Sequence, residues 1–320
     1  MTGEKETYCF KRISEERLED FARLAKNAFG VDAALEENKK LFDTKAYGSD
    51  YLGFLAYAAA DENVAAGFYG VFPVFVEYNG KRFLAAQSGS TMTHSEHRKK
   101  GLFYELGRKT FELAKREGVA FVYGFPNANS YRGLMKLGWT HDGNIKSYHV
   151  LVPTLPFGYL GRKSKFFKRL HDFLFKFATD FRRAESRPFS SSVIEPDVGG
   201  IRRDEAFLDY KKDNDNRFML NIGGRLVWIN QRQGKLGIGD IELADDAKDF
   251  KRVLRALKLI CFLSGTSHIV TYASAGCRLD RLFAENGYKS RQGLANCYLK
   301  LNDEAKPEKF KYVYADFDTF

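Results

Sequence analysis

Long apolar runs are missing from this 320-residue chain. No stretch reaches the roughly 18 uncharged apolar residues that a membrane span needs. MTGEKETYCF contains no basic region followed by an apolar run, so no signal peptide is expected. Cysteine is scarce. The four cysteines, Cys9, Cys261, Cys277 and Cys297, are scattered and none forms CxxC. That argues against a disulfide framework and a structural zinc module, and favours a reducing cytoplasm. Acidic residues are in deficit, with 41 Asp and Glu against 51 Lys and Arg, a net charge of +10. Such a surplus suits an anionic partner, whether nucleic acid, membrane or phosphorylated small molecule; a modest excess also serves solubility alone. What is present is enough for cores: 44% of residues are hydrophobic, and the length suggests two domains. With 29 Phe and 17 Tyr, aromatic-plus-basic nucleic-acid binding stays open at this level.

Residues 7–13 alternate as a strand does, and Ser14 opens a helix that Gly30 stops. A second helix is expected over 32–42 with Asp32 as its N-cap. Strands follow near 51–58, 64–78 and 82–93, the last two joined at Asn79-Gly80, a tight-hairpin signal. A helix from Gly101 to Glu117, a strand over 119–125, a helix over 127–137 and a strand from Trp139 to Val152 complete a mixed sheet with helices on both faces.

From about residue 201 the pattern restarts: helix 203–212, strands near 217–221, 225–231 and 235–243, helix 246–264, strand 267–273, helix 278–285 and strand 288–301. Trp139 aligns with Tyr288, Ala120 with His268 and Gly118 with Gly265, at offsets of 149, 148 and 147. Near-equal offsets predict two copies of one fold. Between them, over 153–200, lies a basic aromatic segment. Residues 158–188 hold nine Lys and Arg against three acids, and Phe166, Phe167, Leu170, Phe173, Leu174 and Phe177 share one helical stripe. Two accounts of it stand. In the favoured one, the stripe packs across the two domains and the cations lie in water. In the other, the 160–183 helix rests on an anionic membrane or caps an acidic ligand.

The chemistry concentrates in TMTHSEHRKKGLF, residues 91–103. A strand ends, a polar turn follows, and a helix opens at Arg98-Lys99-Lys100-Gly101-Leu102-Phe103. Arg-x-x-Gly at a helix start gathers free backbone N–H groups and the positive end of the helix dipole, with three cations beside them. Gly101 lets a ligand approach the backbone. This is a diphosphate cradle, although neither GxxxxGK[ST] nor GxGxxG is present.

HSEHRKKGLF followed by YGFPNANSYRGLMKLGW resembles motifs A and B of the GNAT superfamily of acyl-CoA-dependent N-acyltransferases, over roughly residues 7–152. The second half resembles the fold pattern only. Its equivalent helix start, IELADDAKDFKRVL, carries acids where Arg-x-x-Gly should be. The resemblance implies an α/β mixed-sheet protein of two GNAT-like domains in tandem: 1–152 binding acyl-CoA, 153–200 as a basic helical connector, and 201–320 as a degenerate copy contributing to the acceptor cleft. It implies that Thr91, Met92 and Thr93 meet the acyl and pantetheine arm and that Arg98 to Phe103 take the pyrophosphate. Asn127 or Asn129 would meet the pantetheine side. The amine then attacks the thioester directly, and an N–H near Met92 or Thr93 stabilises the oxyanion.

Two departures stand out. Phe103 fills a small-residue position, where it reshapes the wall beside the phosphates. Leu134 stands where many members carry a Tyr that protonates the leaving thiolate. Tyr131 or Ser130 are the substitutes, and a thiolate of pKa roughly 8–9 also leaves unaided. For the general base, His94 leads Glu96, His97, His141 and His149, with water as the alternative. His94-x-x-His97 lacks the further ligands of a metal site, so no metal is expected. A C-terminal carboxylate on Phe320 is a further conceivable base, against a disordered or docked tail.

The resemblance therefore implies an acyl-CoA:amine N-acyltransferase acting in the cytoplasm, without nucleic acid. The acyl group is acetyl or a short hydroxyacyl such as 3-hydroxybutanoyl. Chains of this architecture are similar to bacterial enzymes that acylate amino sugars, including nucleotide-linked amino sugars destined for surface polysaccharide. Alternatives are an antibiotic or peptide amine as acceptor, or a membrane or nucleic-acid binding module with a vestigial fold. A second copy that covers the usual dimer surface predicts a monomer.

Overall fold

Apolar periodicity sets most of the elements, and turn residues end them. The computed structural model describes residues 7–30, 32, 34–59, 61–212, 216–243 and 246–320. In chain order these form β1 (Tyr8–Arg12), α1 (Leu18–Phe29), α2 (Leu35–Phe42), β2 (Gly53–Ala58), β3 (Asp61–Tyr78), β4 (Lys81–Thr93), α3 (Leu102–Arg116), β5 (Phe121–Gly124), α4 (Ala128–Lys136) and β6 (Thr140–Leu151). Next come α5 (Phe157–Leu160), α6 (Lys165–Asp180), β7 (Arg183–Ala184), β8 (Gly200–Ile201), α7 (Glu205–Tyr210), β9 (Arg217–Ile222), β10 (Arg225–Arg232) and β11 (Lys235–Ile241). The chain closes with α8 (Asp246–Ser264), β12 (His268–Ser274), α9 (Arg278–Glu285) and β13 (Ser290–Lys300). Asn79 and Gly80 both have positive φ, 48° and 75°, as a type I′ hairpin turn requires. The N-cap of α2 is Ala34 and not Asp32, which instead pairs with Lys26 at 3.0 Å. Among the described residues no helix is long and apolar enough to cross a membrane.

The chain divides into two compact units. Unit 1 comprises residues 1–76, 82–142 and 295–308; unit 2 comprises 77–81, 143–294 and 309–320. In unit 1 the strand order is β1-β2-β3-β4-β5-β13. β4 and β5 are parallel, and β5 and β13 antiparallel. Leu18, Phe21, Leu24 and Phe42 of α1 and α2 cover one face of this sheet with Leu55 and Phe68. Leu102, Leu106 and Phe111 of α3 cover the other with Val122, Leu134 and Trp139.

Unit 2 has the order β6-β12-β11-β10-β9-β7, again with one parallel pair, β11 with β12. Its core joins Val227, Ile229 and Ile238 of the sheet to Phe250, Leu257 and Ile260 of α8 and to Phe175 and Ala178 of α6. The two sets of strands thus repeat one pattern of pairings. The division, however, does not follow chain order at residue 152. β6, the last strand of the first sequence repeat, pairs with β12 in unit 2, while Cys297–Lys300 of β13 pair with Phe121–Gly124 of β5 in unit 1. Each set takes its last strand from the other sequence repeat.

The aromatic stripe of the 160–183 segment packs only in part: Phe167, Leu170 and Leu174 are half-buried, Phe167 stacking on Phe157. The face of α6 that packs against α8 presents His171, Phe175, Ala178 and Thr179. His171 is clamped there by Thr266 at 2.8 Å and Gln231 at 3.0 Å. Phe166, Phe173 and Phe177 remain exposed. The helix carries two apolar stripes, and the one with polar anchors is the one turned inward. The C-terminal tail is docked: Phe320 is fully buried in unit 2 against Trp228 and Tyr314. A side chain at Gly239 would overlap its ring.

Candidate active site

In unit 1, β4 and β5 pair only at Ala85–Phe121, Ala86–Val122 and Gln87–Tyr123. β4 then runs on to Thr93 while β5 ends at Gly124. The sheet therefore splays from Ser88 onward, and backbone groups of residues 88–93 on the β5 side lack a strand partner there. Backbone polar groups left without a ladder must find other partners, which makes such a split a natural seat for an extended polar ligand. Thr91 and Thr93 are half-buried along it and Met92 points into the core.

Ser90 sits in the middle of this stretch with φ of 53°. A left-handed non-glycine residue inside a strand costs on the order of 1–3 kcal/mol and re-aims the neighbouring N–H groups. No motif in the sequence marks Ser90. Gly89 beside it has little spare room, since a Cβ there would lie 3.1 Å from the Phe72 ring.

Past β4, His94 caps a short turn over 95–97 and its Nδ1 accepts from the Glu96 N–H at 3.4 Å. Arg98 is extended, Lys99 has φ of 65° and Gly101 has φ of 84°. Alternation of left-handed and ordinary backbone turns successive N–H groups toward one concavity, an anion nest. α3 begins at Leu102; the Gly101 carbonyl accepts from the Tyr104 N–H at 3.0 Å, and Gly101 supplies no side-chain cap for the earlier N–H groups of the turn. A Cβ at Gly101 would meet nothing within 4 Å, so the space before it is open. Arg98, Lys99 and Lys100 are exposed around it. Leu102 is buried in the core. Phe103 does not form a wall beside this nest: its ring lies against Tyr69, centroids 5.4 Å apart, and over Gly133 of α4.

At the start of α4, the Asn127 side chain accepts from the N–H groups of Asn129 and Ser130 at 2.9 and 3.2 Å. Its oxygen is therefore spent as a helix cap, while Asn129 is exposed. Ser130 Oγ lies 3.4 Å from the Asn127 carbonyl. Leu134 is buried beneath the helix, so that position faces the core. Tyr131, one turn earlier, reaches His141 instead: its hydroxyl lies 3.1 Å from Nδ1, with the rings edge to face. This Tyr–His pair joins two residues that the sequence presented separately.

His94 also borders a cavity of about 520 Å³ with Arg23, Lys26 and Asn27 of α1 and Val64 and Ala65 of β3. Asn27 ties α1 to this corner by accepting from the Ser95 N–H at 3.0 Å. Among the described residues no carboxylate lines the cavity, although Arg23 pairs with Asp20 and Lys26 with Asp32. His97 is tied to Tyr8 of β1 at 2.9 Å. Glu96 is exposed.

His149 lies elsewhere, in unit 2. It borders a cavity of about 280 Å³ with Arg232, Lys235 and Tyr272, again with no carboxylate in the lining among the described residues. Burial, with Arg291 and Lys235 nearby, lowers its pKa below the ordinary histidine value. The acid-bearing counterpart of the Arg-x-x-Gly turn falls partly at 244–245, outside the described residues. Asp249, in the first turns of the helix that follows, is buried and binds Arg225 and Arg252 at 2.8 and 2.9 Å.

Residues 10–141 match the family model for the acetyltransferase (GNAT) domain. No curated protein matches the chain. Among solved structures, a GCN5-related N-acetyltransferase from Kribbella flavida aligns with a TM-score of 0.59 at 15% identity, covering 92% of this chain and 71% of that one. A probable N-acyltransferase from Enterococcus faecalis V583 aligns with a TM-score of 0.60 at 15% identity, over 92% and 73%. The N-myristoyltransferase of Saccharomyces cerevisiae, solved with bound myristoyl-CoA, aligns with a TM-score of 0.53 at 9% identity, over 94% and 84%. At such identities the likeness is one of fold. The chain accordingly has a GNAT-like α/β fold, and its residues 10–141 match the acetyltransferase (GNAT) domain.

Proposed function

We propose that the chain is an acyl-CoA-dependent N-acyltransferase whose acceptor is the amine of a nucleotide-linked amino sugar. The observation that carries the reaction class is the coincidence, within unit 1, of the β4–β5 splay with the nest at Arg98–Gly101. The nest suits a pyrophosphate, and the splay suits an extended arm with a thioester at its end. In this proposal Thr91, Met92 and Thr93 line the acyl arm, Asn129 rather than Asn127 meets its pantetheine part, and an N–H next to the Ser90 bulge polarises the thioester carbonyl.

The acceptor nitrogen, once deprotonated, attacks that carbonyl. The C–N bond forms, the C–S bond breaks and the sulfur leaves as thiolate. His94, facing the cavity, takes the ammonium proton; Tyr131, paired with His141, protonates the thiolate, with Ser130 as the alternative donor, and the second nitrogen proton, lost as the tetrahedral intermediate collapses to the amide, passes through water to restore that donor. The acyl group is acetyl or a short hydroxyacyl such as 3-hydroxybutanoyl. Support for an anionic acceptor comes from the cavity beside His94, lined by Arg23 and Lys26 and, among the described residues, by no acid. A cationic antibiotic or peptide amine would favour the opposite lining. Unit 2 is proposed as a second, degenerate copy that contributes to acceptor recognition, in a monomer working in the cytoplasm.

The test is thiol release from acetyl-CoA and from 3-hydroxybutanoyl-CoA, followed with a chromogenic disulfide. The acceptors are nucleotide-linked amino sugars, free amino sugars, an aminoglycoside and a peptide amine. Turnover only with the nucleotide-linked acceptors is the expected result. Turnover only with the aminoglycoside or peptide would overturn the acceptor class and leave acyl transfer standing.

A further inference from the structure

We propose that the outer face formed by α6 and the C-terminal half of α8 in unit 2 is a docking surface for an anionic lipid bilayer. Phe166, Phe173 and Phe177 stand at i, i+7 and i+11 on α6, so they form one stripe. They are 70%, 66% and 59% exposed. Phe175 and Ala178, which enter the core, lie on the opposite side of the helix. α6 packs against α8, and there Leu259, Phe262 and Leu263 are 49%, 57% and 48% exposed. Single exposed apolar residues need no explanation, but clusters of large exposed apolar side chains on each of two helices that pack together mark an interaction site.

Charge selects the occupant. Arg162, Lys163, Lys165, Arg169 and Lys176 are exposed around the stripe. The two acids of α6 are engaged, Asp172 with Lys168 and Asp180 with Arg183. Aromatic residues in a basic surround, on a helix of about 24 Å lying flat on its unit, are the pattern of an interfacial helix: rings enter the acyl boundary and cations meet the headgroups. A second copy of this chain is the poorer occupant, because a two-fold contact would set one cationic rim against another. The proposal is independent of the acceptor's identity. It reverses the expectation that the aromatic stripe is a domain-packing surface.

The experiment is co-sedimentation of the full chain with vesicles of phosphatidylcholine alone or mixed with phosphatidylglycerol. It is repeated with Phe173→Ser/Phe177→Ser and with Lys165→Glu/Arg169→Glu/Lys176→Glu. The wild-type chain is expected to partition onto the anionic vesicles, more weakly at high salt, and each variant to lose at least about tenfold in partitioning. Melting temperatures should hold, since none of these side chains enters the core. Wild-type chain that stays in the supernatant with both vesicles overturns the proposal, as does undiminished partitioning of the double serine variant. So does a dimer, seen by light scattering, that the serine substitutions dissolve; that outcome makes this face a contact between copies.

Discussion

Gly101→Trp separates folding from ligand binding at the proposed pyrophosphate nest. Gly101 has φ of 84°, a region that a side-chain-bearing residue enters at a cost of about 1 kcal/mol. A Cβ there meets nothing within 4 Å, so no packing penalty is added on the protein side. For a chain of this size about 1 kcal/mol lowers the melting temperature by only about 2–4 °C. Affinity behaves differently. The indole must occupy the open space at the start of α3. Excluding a diphosphate from it should weaken acetyl-CoA binding by at least about a hundredfold, or about 2.7 kcal/mol. Calorimetric titration of both proteins with acetyl-CoA, beside thermal melts, reads the two effects apart. Gly101→Ala serves as the control, sharing the backbone cost while filling far less of the space. A tryptophan variant that melts a few degrees lower but binds acetyl-CoA as the wild type does refutes the assignment of the nest.

Three further outcomes are expected. Gly133→Ala places a methyl 2.6 Å from the Phe103 ring, an overlap worth about 1–3 kcal/mol, of which helix propensity returns up to about 1. A urea titration should show the loss, and Phe103→Leu in the same chain should restore most of it; additive effects would mean that the two side chains do not meet. Tyr131→Phe should lower kcat by about a hundredfold with little change in the KM for acyl-CoA, and an unchanged kcat would remove Tyr131 from thiolate protonation. Lys211 is buried, donates to the Phe317 carbonyl at 2.6 Å, and burial pushes its pKa down to about 8. Between pH 8 and its unfolded value near 10.4 the unfolded chain binds more protons, so stability should rise with pH across that window. Below pH 8 both states are charged and the cost of the buried ammonium is fully felt. Lys211→Met should flatten the rise, as read by urea midpoints at pH 7.5 and 9.5.

Much of this architecture was legible because it is local. The apolar spacing from Asp246 and the stop at Gly265 give the bounds of α8, and Asn79-Gly80 gives the hairpin. The motif A turn was legible too, since Arg98 to Gly101 announce themselves by residue type. What stayed hidden depends on partners distant in sequence. Alternation along residues 140–151 and 290–300 predicts two strands but is silent on which sheet each one joins. Phe166, Phe173 and Phe177 outweigh Phe175 and Ala178 on any apolar scale; only the clamp of Thr266 and Gln231 on His171 decides which side of α6 turns inward. The fit of Phe103 over Gly133 and the left-handed Ser90 are likewise matters of three-dimensional fit, without a motif of their own.

The borrowed terminal strands have a consequence for biosynthesis. A ribosome releases residues 1–142 early, yet unit 1 still lacks residues 295–308, the stretch that supplies its last strand. At about 5–20 residues per second, the roughly 150 residues in between take on the order of 10–30 s to translate. During that interval β5 presents a bare edge at Phe121–Gly124, the kind of edge that invites pairing with another nascent chain. Splitting the gene at the basic connector would make the exposure permanent, since each product would lack its own closing strand. Two halves expressed in the same cell should therefore be recovered together or aggregate apart.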